Sequence, residues 1–316
     1  MRGMRRTLTL LVACAVSAAA VEEQGITGPL ETELIGPAMQ AAAAQRKPAP
    51  ARQAEVSVSY FGGLAPSRSS SHMHITDAYA SLPVYTGAVS TDGSFLPSEF
   101  VTKLDLIGRY TRLEGDLHGE LYSFGFNLSA ETGLNPYTKA LVGISPLFCG
   151  DTDLFNGRNL YLNFYGGLAG ALSVDFQYMI GLVYAPQNSL APVLPMVHIT
   201  WKYAPDWELR VRHMRFSTVN TAVPGLEWGP FAEFNGGIWT LRRDGETQRF
   251  RMTHLVLGLG ARYEVKREFG SVSGLLDAGV PVYGSYRLYD RHGHRDVERS
   301  HSNGGWFVRA GLELTF

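Results

Sequence analysis

The chain ends in the segment WFVRAGLELTF, residues 306–316, in which every second residue is apolar. The apolar set is Trp306, Val308, Ala310, Leu312, Leu314 and Phe316, and the set between them is Phe307, Arg309, Gly311, Glu313 and Thr315. Successive side chains of a β-strand point to opposite faces of the sheet. The segment therefore predicts a strand with one apolar face and one mainly polar face.

The same alternation recurs in segments 104–111, 122–129, 172–184 and 254–265. Several of the predicted strands reach ten residues or more, whereas strands of soluble proteins average about five or six. A tilted strand needs about 9–11 residues to cross a bilayer. Tryptophans near segment ends, such as Trp201 and Trp207, are typical of the aromatic girdles of membrane barrels. These features predict an all-β fold, a transmembrane antiparallel up-and-down β-barrel, with a soluble β-protein as the alternative.

The last eight residues, RAGLELTF at 309–316, resemble the C-terminal signal of Gram-negative outer-membrane β-barrel proteins. That signal has a polar residue, a glycine, a hydrophobic residue and a final aromatic residue at fixed spacing. The resemblance implies a location in the outer membrane, with its lipids and the barrel-assembly machinery as partners. It also implies that Gly311, Leu314 and Phe316 are assembly determinants. It identifies a superfamily of barrels and no particular member.

The composition narrows the possible classes of protein. The 316 residues are 45% hydrophobic and 18% charged, with a formal net charge of −1. This apolar content does not fit a disordered chain, and the near-neutral charge excludes the basic face that nucleic-acid binding needs. Two cysteines exclude a disulfide scaffold and a four-cysteine zinc site.

The N-terminus has the three parts of a secretory signal peptide, predicted to span residues 1–20. Arg2, Arg5 and Arg6 precede an apolar stretch, and small residues follow up to Ala20. A second interpretation is a lipoprotein signal with Cys14 as the acylated residue. Residues 21–54 are rich in alanine and proline and predict a flexible periplasmic tail, so the barrel is expected to span 55–316.

Thirteen segments are candidate strands: 55–63, 73–84, 102–112, 119–130, 138–147, 159–168, 171–184, 194–204, 207–217, 226–241, 253–266, 271–288 and 304–316. Bacterial barrels have an even number of strands. Segment 138–147 is the weakest candidate because it contains Pro146. The sequence therefore predicts about twelve strands, with ten and fourteen open. Counting back from a periplasmic Phe316 places the short turn 204–206 outside the cell, which its length does not favour.

Charged residues on the predicted inner faces are candidates to line the lumen. They are Lys103, Asp105, Arg109, Asp175, Lys202, Glu208, Arg210, Arg212, Glu227, Glu233, Arg262, Glu264, Asp277, Arg287, Arg309 and Glu313. Eight are positive and eight negative, so no strong ion selectivity is expected. The predicted function is a porin-like channel for passive or weakly selective passage of small solutes. The alternative is a sealed structural or surface-interaction barrel whose interior is filled by ion pairs.

Motifs for catalysis and cofactors are weak. The stretch Ser300–Gly304 is similar to the His-x-Ser-Asn motif of outer-membrane lipases and lipid A deacylases. Its His301 and Ser302 are adjacent, however, and would point to opposite faces of a strand. We therefore expect no enzyme, no catalytic residues and no cofactor, with a lipid-modifying enzyme as a minor alternative. A weak metal hypothesis joins His72 and His74 to His292 and His294, since these imidazoles lie in loops that a closed barrel brings together.

Overall fold

The computed structural model describes residues 52–66, 72–90, 99–115, 118–135, 137–151, 157–243, 246–267, 270–290 and 296–316. They form one short 3-10 helix, Gly157–Asn159, and fifteen strands. The strands are β1 (Gln53–Pro66), β2 (Met73–Ser90), β3 (Glu99–Glu114), β4 (Gly119–Asn135), β5 (Thr138–Gly150), β6 (Leu160–Ser173), β7 (Phe176–Tyr184), β8 (Val193–Ala204), β9 (Trp207–Arg212), β10 (Arg215–Val223), β11 (Leu226–Arg243), β12 (Glu246–Arg267), β13 (Gly270–Tyr289), β14 (Asp296–Asn303) and β15 (Trp306–Thr315). The predicted signal peptide, Cys14 and most of the predicted tail lie outside the described residues.

The sheet closes into a barrel. Strands β1 to β13 each pair antiparallel with the next, and β15 pairs with both β13 and β1. Backbone hydrogen bonds in both directions between Arg52 and Phe316, at 2.8 and 3.0 Å, extend this closure past β15. We call the end of the barrel that holds Gln53 and Thr315 the terminal end, and the opposite end the far end.

The barrel wall has fourteen positions, so the prediction of about twelve strands is wrong and the true number is the upper limit of the predicted range. Strand β14 pairs with the same two neighbours as β15 but nearer the far end, and the two segments fill one position. They are separated at Gly304 and Gly305, whose φ angles of 83° and 101° suit glycine.

The prediction of twelve strands was short by two. One of them lies in the predicted segment 207–217, which is in fact two strands. A tight turn at His213 and Met214 separates β9 from β10. His213 has a φ of 51°, a left-handed conformation that cannot be predicted from its residue type. With this additional strand the turn at residues 205–206 falls at the terminal end, which removes the conflict over its side of the membrane.

Segment 138–147, the weakest candidate, is a complete strand within β5. Pro146 has no backbone N–H to donate, and the pairing of β4 with β5 is interrupted beside it, between Gly125↔Leu147 and Leu128↔Ile144. The register on either side of the gap is the same. The proline therefore costs local hydrogen bonds without ending the strand.

The outer face of the barrel is apolar and uncovered. Leu182, Leu259, Leu276 and Leu312 retain 62%, 63%, 57% and 59% of their possible exposure. The described residues form a single sheet, with no second sheet and no helical layer over this face. Among these residues no helix has the length and apolar character needed to cross a membrane. An exposed apolar belt of this extent suits contact with lipid chains.

The far half of the barrel interior is filled by an apolar cluster, here called the far-half core. Its buried members are Phe61, Leu64, Met73, Ile75, Leu113, Leu121, Cys149, Tyr161, Phe231, Trp239, Phe250, Met252, Val256, Tyr286, Leu288 and Phe307. The terminal half of the interior is mainly polar. The barrel interior therefore differs sharply between its two ends.

Strand β11 crosses the lumen at the far end. The pairing of β10 with β11 stops at Arg215, the first residue of β10, which lies opposite Glu233. The rest of β11 has no strand partner on that side. It instead reaches the opposite wall, where Thr240 pairs with Gly150 of β5 and Trp239 Nε1 donates to Ser123 Oγ of β4 at 3.1 Å. The loop between β7 and β8 closes the gap in the wall, since the Ile238 N–H donates to the Gln187 carbonyl at 2.9 Å.

Candidate functional site: the charged lumen

Three cavities that described residues line lie inside the barrel and share parts of their walls. The largest, about 1090 Å³, lies at the terminal end between residues such as Arg52, Thr315 and Gly225. A second of about 480 Å³ extends to the turn at His213, and a third of about 350 Å³ reaches the β7–β8 loop at Gln187. Glu55 lines all three cavities. Together they follow the length of the barrel from the terminal end to the far-end loop.

A network of four charged side chains stands at the middle of this series, and we call it the central ion-pair cluster. Arg309 donates to Asp277 and to Glu233, with Nε to Oδ2 at 2.8 Å and Nη1 to Oε1 at 2.8 Å. Arg215 contacts the same two carboxylates at 2.8 and 3.0 Å. Asp277 is fully buried, and such a charge is tolerated because both arginines bind it.

Arg109 ties the crossing part of β11 to the opposite wall. Its Nε lies 2.7 Å from Asp77 Oδ1, and Thr111 Oγ1 donates to the same oxygen at 2.7 Å. The other guanidinium nitrogens of Arg109 donate to the Gly236 carbonyl and to Asn235 Oδ1. One side chain thus holds β2, β3 and β11 together beside the third cavity.

Ion pairs also line the terminal half. Arg210 binds Glu208 at 2.6 Å and Glu227 at 2.8 Å, and Lys103 binds Glu131 at 2.9 Å. Arg262 and Glu313 form a further pair across the same cavity wall. These pairs, within one strand or between strands, neutralise most of the charge that the lumen presents.

Glu55 is different from these carboxylates. Its side chain makes no hydrogen bond or ion pair with any residue that the structure describes, although Arg309 and Glu313 lie close enough to influence it electrostatically. It is half-buried on β1, on the face that lines the lumen. A carboxylate without a partner among the described residues thus lies where the three cavities meet.

The structure places thirteen of the sixteen predicted lumen residues on the cavity walls. They are Lys103, Asp105, Arg109, Glu208, Arg210, Arg212, Glu227, Glu233, Arg262, Glu264, Asp277, Arg309 and Glu313. The other three line none of the three cavities described above. Asp175 lies in the turn between β6 and β7, and Lys202 is exposed near the terminal end of β8.

Arg287 is displaced by a β-bulge. Leu255 pairs with Tyr283 but Val256 pairs with Pro281, so β13 carries one extra residue between them. An extra residue exchanges the two faces of a strand. Arg287 therefore lies on the opposite face of β13 from Asp277, and its assignment to the lumen is corrected.

Four charged residues of the cavity walls were not predicted from the sequence: Arg52, Glu55, Asp77 and Arg215. Glu55 could have been found, because it continues the alternation of Ser57 and Ser59 on β1. Arg215 could not, since it belongs to the strand that was missed. In total, the walls of the three cavities carry eight positive side chains and nine carboxylates. The positive side chains are Arg52, Lys103, Arg109, Arg210, Arg212, Arg215, Arg262 and Arg309. The carboxylates are Glu55, Asp77, Asp105, Glu208, Glu227, Glu233, Glu264, Asp277 and Glu313.

The histidines of the metal hypothesis are only partly described. His72 is exposed, and His74 lies on the outer face, where its Nδ1 is 3.1 Å from the Tyr60 hydroxyl. His292 and His294 lie outside the described residues. Within the described part of the chain no three His, Cys, Asp or Glu residues are grouped to hold a metal.

Two other predicted motifs have clear positions. The His301 ring lies 6.0 Å from Tyr283 on the outer face, whereas Ser302 Oγ is 3.3 Å from the buried Tyr286 hydroxyl. The two residues thus lie on opposite faces of β14 and do not contact each other as base and nucleophile. In the C-terminal motif, Gly311 pairs with Ser57 and Leu314 with Ala54, so the motif forms the seam that closes the barrel.

The geometry defines a closed fourteen-stranded antiparallel β-barrel with a charged lumen. The sequence profile of a family described as "Domain of unknown function (DUF6268)" matches residues 117–315, which is more than half of the chain. The chain belongs to this family. No curated protein matches it.

Several solved structures are similar to the chain. An outer-membrane channel from Pseudomonas putida F1 is 9% identical, with 86% of this chain and 97% of that chain covered and a TM-score of 0.42. The β domain of the Bordetella autotransporter BrkA is 13% identical, with 84% and 99% covered and a TM-score of 0.28. OccAB4 from Acinetobacter baumannii is 8% identical, with 84% and 98% covered and a TM-score of 0.29.

Proposed function

We propose that the protein is a porin-like barrel of a Gram-negative outer membrane that lets small polar solutes diffuse through a narrow lumen. The observation that carries the proposal is the series of three cavities with shared walls, which runs from Arg52 at the terminal end to Gln187 at the far end. Lipid around the apolar belt and assembly through the C-terminal motif complete this proposal. No catalytic step is part of it.

The lumen would pass only small solutes because its far half is constricted. The crossing part of β11 and the far-half core occupy most of the cross-section there, with Trp239 only 1% exposed. The route that remains lies between the β7–β8 loop and Arg109. A fourteen-stranded wall could enclose a wider space, so conductance should be low for a barrel of this size.

Selectivity should be weak. Eight positive side chains stand against nine carboxylates on the cavity walls, and most are bound to one another. A lumen with almost equal charges of both signs creates little net potential for either kind of ion. Glu55, which has no ion-pair partner in the described part of the chain, would favour cations slightly.

A sealed barrel is the second candidate, and the far-half core is the specific observation that favours it. Sixteen buried apolar residues inside one end of a barrel resemble the packed interior of a soluble domain. In that case the terminal cavities would open only toward the periplasm, and the barrel would serve as a structural or surface-interaction protein.

Liposome swelling separates the two functions. Purified protein is reconstituted with sugars and amino acids of increasing size, and the rate of swelling is measured. Trp239→Ala should increase swelling several-fold and admit larger solutes, because it removes the largest side chain of the constriction. Trp306→Ala is the matched control, since Trp306 is half-exposed on the outer face. No swelling with either the wild type or Trp239→Ala, both shown to be folded by gel mobility, would favour the sealed barrel.

The proposed location has its own test. Membranes of expressing cells are separated by density and washed with carbonate. The protein should remain in the outer-membrane fraction, whereas recovery in the wash would contradict the proposal.

A further inference from the structure

Two histidines face each other on the barrel wall near the turn that the sequence did not reveal. His198 Nε2 on β8 lies 3.2 Å from His213 Nδ1, and the rings meet edge to face with centroids 4.3 Å apart. His213 is the only non-glycine residue with a positive φ in the described part of the chain. An uncommon backbone conformation thus holds this imidazole beside its partner.

The separation of the two nitrogens suits a shared metal ion. Two imidazole nitrogens at about 2.0–2.1 Å from a tetrahedral metal are about 3.4 Å apart. The observed separation of 3.2 Å, which is a hydrogen bond between the two rings, is close to this value. Both nitrogens can bind one ion once each ring directs a lone pair at the ion instead of at the other ring. Neutral imidazoles satisfy this requirement, and no other side chain in the described residues hydrogen-bonds to either ring.

Three methionines lie close to this pair in the strand register or along the chain. Met179 of β7 is the direct cross-strand partner of His198, so the two side chains share the inner face of the sheet. Met196 lies two residues before His198 on the same face, and Met214 directly follows His213. Thioether and imidazole together are ligands that select monovalent copper.

The surroundings oppose a divalent ion. No third His, Cys, Asp or Glu ligand is grouped with the two histidines among the described residues, so the ligand set of a structural zinc site is absent there. Arg212 pairs with His198 across β8 and β9 and precedes His213 in the chain. The positive charge of a nearby guanidinium repels a divalent cation about twice as strongly as a monovalent one.

We propose that His198 and His213, with thioether sulfur from the adjacent methionines, bind one monovalent copper ion. This site is independent of the proposed transport function, because it needs only the local wall of β7, β8 and the β9–β10 turn. The ion is bound without a change of oxidation state. Silver(I), which has the same charge and ligand preference, can replace it in measurements.

Competition with a coloured copper(I) chelator tests the site on the full-length folded barrel in detergent. We expect the wild type to retain one equivalent of copper(I) and the His198→Gln variant to bind it at least about tenfold more weakly. His74→Gln is the matched control, since His74 lies on the outer face and should leave this equivalent unchanged. Equal copper(I) binding by wild type and the His198→Gln/His213→Gln double variant would overturn the proposal.

X-ray absorption on the copper(I)-loaded wild type gives a readout that does not depend on folding of the variants. The expected spectrum contains both nitrogen and sulfur neighbours of the metal. Met179→Leu with Met214→Leu should weaken the sulfur contribution. A spectrum with nitrogen and oxygen neighbours alone, or zinc bound more tightly than copper(I), would overturn the assignment to a soft monovalent metal.

Discussion

Arg309 of β15 and Asp277 of β13 are direct cross-strand partners, with Arg309 Nε 2.8 Å from Asp277 Oδ2. Asp277 has no solvent exposure, and Arg215 from β10, three positions away in the wall, reaches the same carboxylate. The contact between Arg215 and Asp277 therefore connects β10 and β13, which are not neighbours in the wall. It fixes the shape of the lumen at its middle.

Removal of this carboxylate should destabilise the barrel strongly. Asp277→Ala removes the buried one of the two carboxylates that Arg215 and Arg309 share and leaves them only Glu233 in common. Loss of one partner of a buried ion pair costs about 3–5 kcal/mol. Unfolding in urea, followed by tryptophan fluorescence in detergent, measures the effect. Asp105→Ala is the control, because Asp105 is half-buried with one hydrogen bond, from Asn127 at 3.3 Å, and should cost less than half as much. Equal destabilisation by both variants would contradict the role of the central cluster.

Glu55→Gln should reduce the preference of the lumen for cations. The substitution removes the one carboxylate that lines all three cavities without an ion pair or hydrogen bond to a described residue. Reversal potentials across a planar bilayer in a potassium chloride gradient should move toward the value for no selectivity. Gln53→Ala, one inward position away on β1, is a neutral control. A cation preference unchanged in Glu55→Gln would assign the selectivity to other residues.

The free-energy cost of an arginine on the outer face should depend on its depth in the membrane. Leu259 is 63% exposed near the middle of β12, and Val265 is 37% exposed near the terminal end of the same strand. If lipid covers this face, Leu259→Arg should cost about 2–4 kcal/mol and Val265→Arg about 0–1 kcal/mol. Reversible folding into liposomes measures both costs. Small and equal costs would mean that this face meets water.

The final aromatic residue should matter for assembly more than for stability. Phe316 contributes backbone hydrogen bonds to Arg52, which Phe316→Ala would keep. In cells, the variant should accumulate less folded barrel in the outer membrane, while refolding of the pure protein in detergent should be nearly normal. Leu312→Ala, which alters an exposed residue at a position that the motif does not specify, is the control. Equal accumulation of wild type and Phe316→Ala would remove the assembly role implied by the C-terminal resemblance.

The sequence predicted those parts of the barrel in which alternation is local and strict. Strand β15 and most of β12 show the predicted faces, with Leu259 outside and Arg262 inside. Alternation needs only the period of two and a difference in polarity between the faces. For the same reason thirteen of the sixteen lumen residues lie where the pattern placed them.

Features set by single residues or distant contacts were not predictable. The turn at His213 and Met214 has no glycine, asparagine or proline to mark it, so two strands were counted as one. One extra residue in β13 reversed the face of Arg287. The path of β11 across the lumen depends on contacts such as Trp239 with Ser123, which are 116 positions apart in the chain. A contact between residues so far apart leaves no local pattern in the sequence from which it could be predicted.

Single-channel recording of the wild-type protein in a planar bilayer tests the proposed narrow lumen most directly. We expect discrete conductance steps that are small for a fourteen-stranded barrel and weakly cation-selective, and larger steps for Trp239→Ala. Absence of steps from both proteins, with insertion of the folded barrel established in the same membranes, would contradict it.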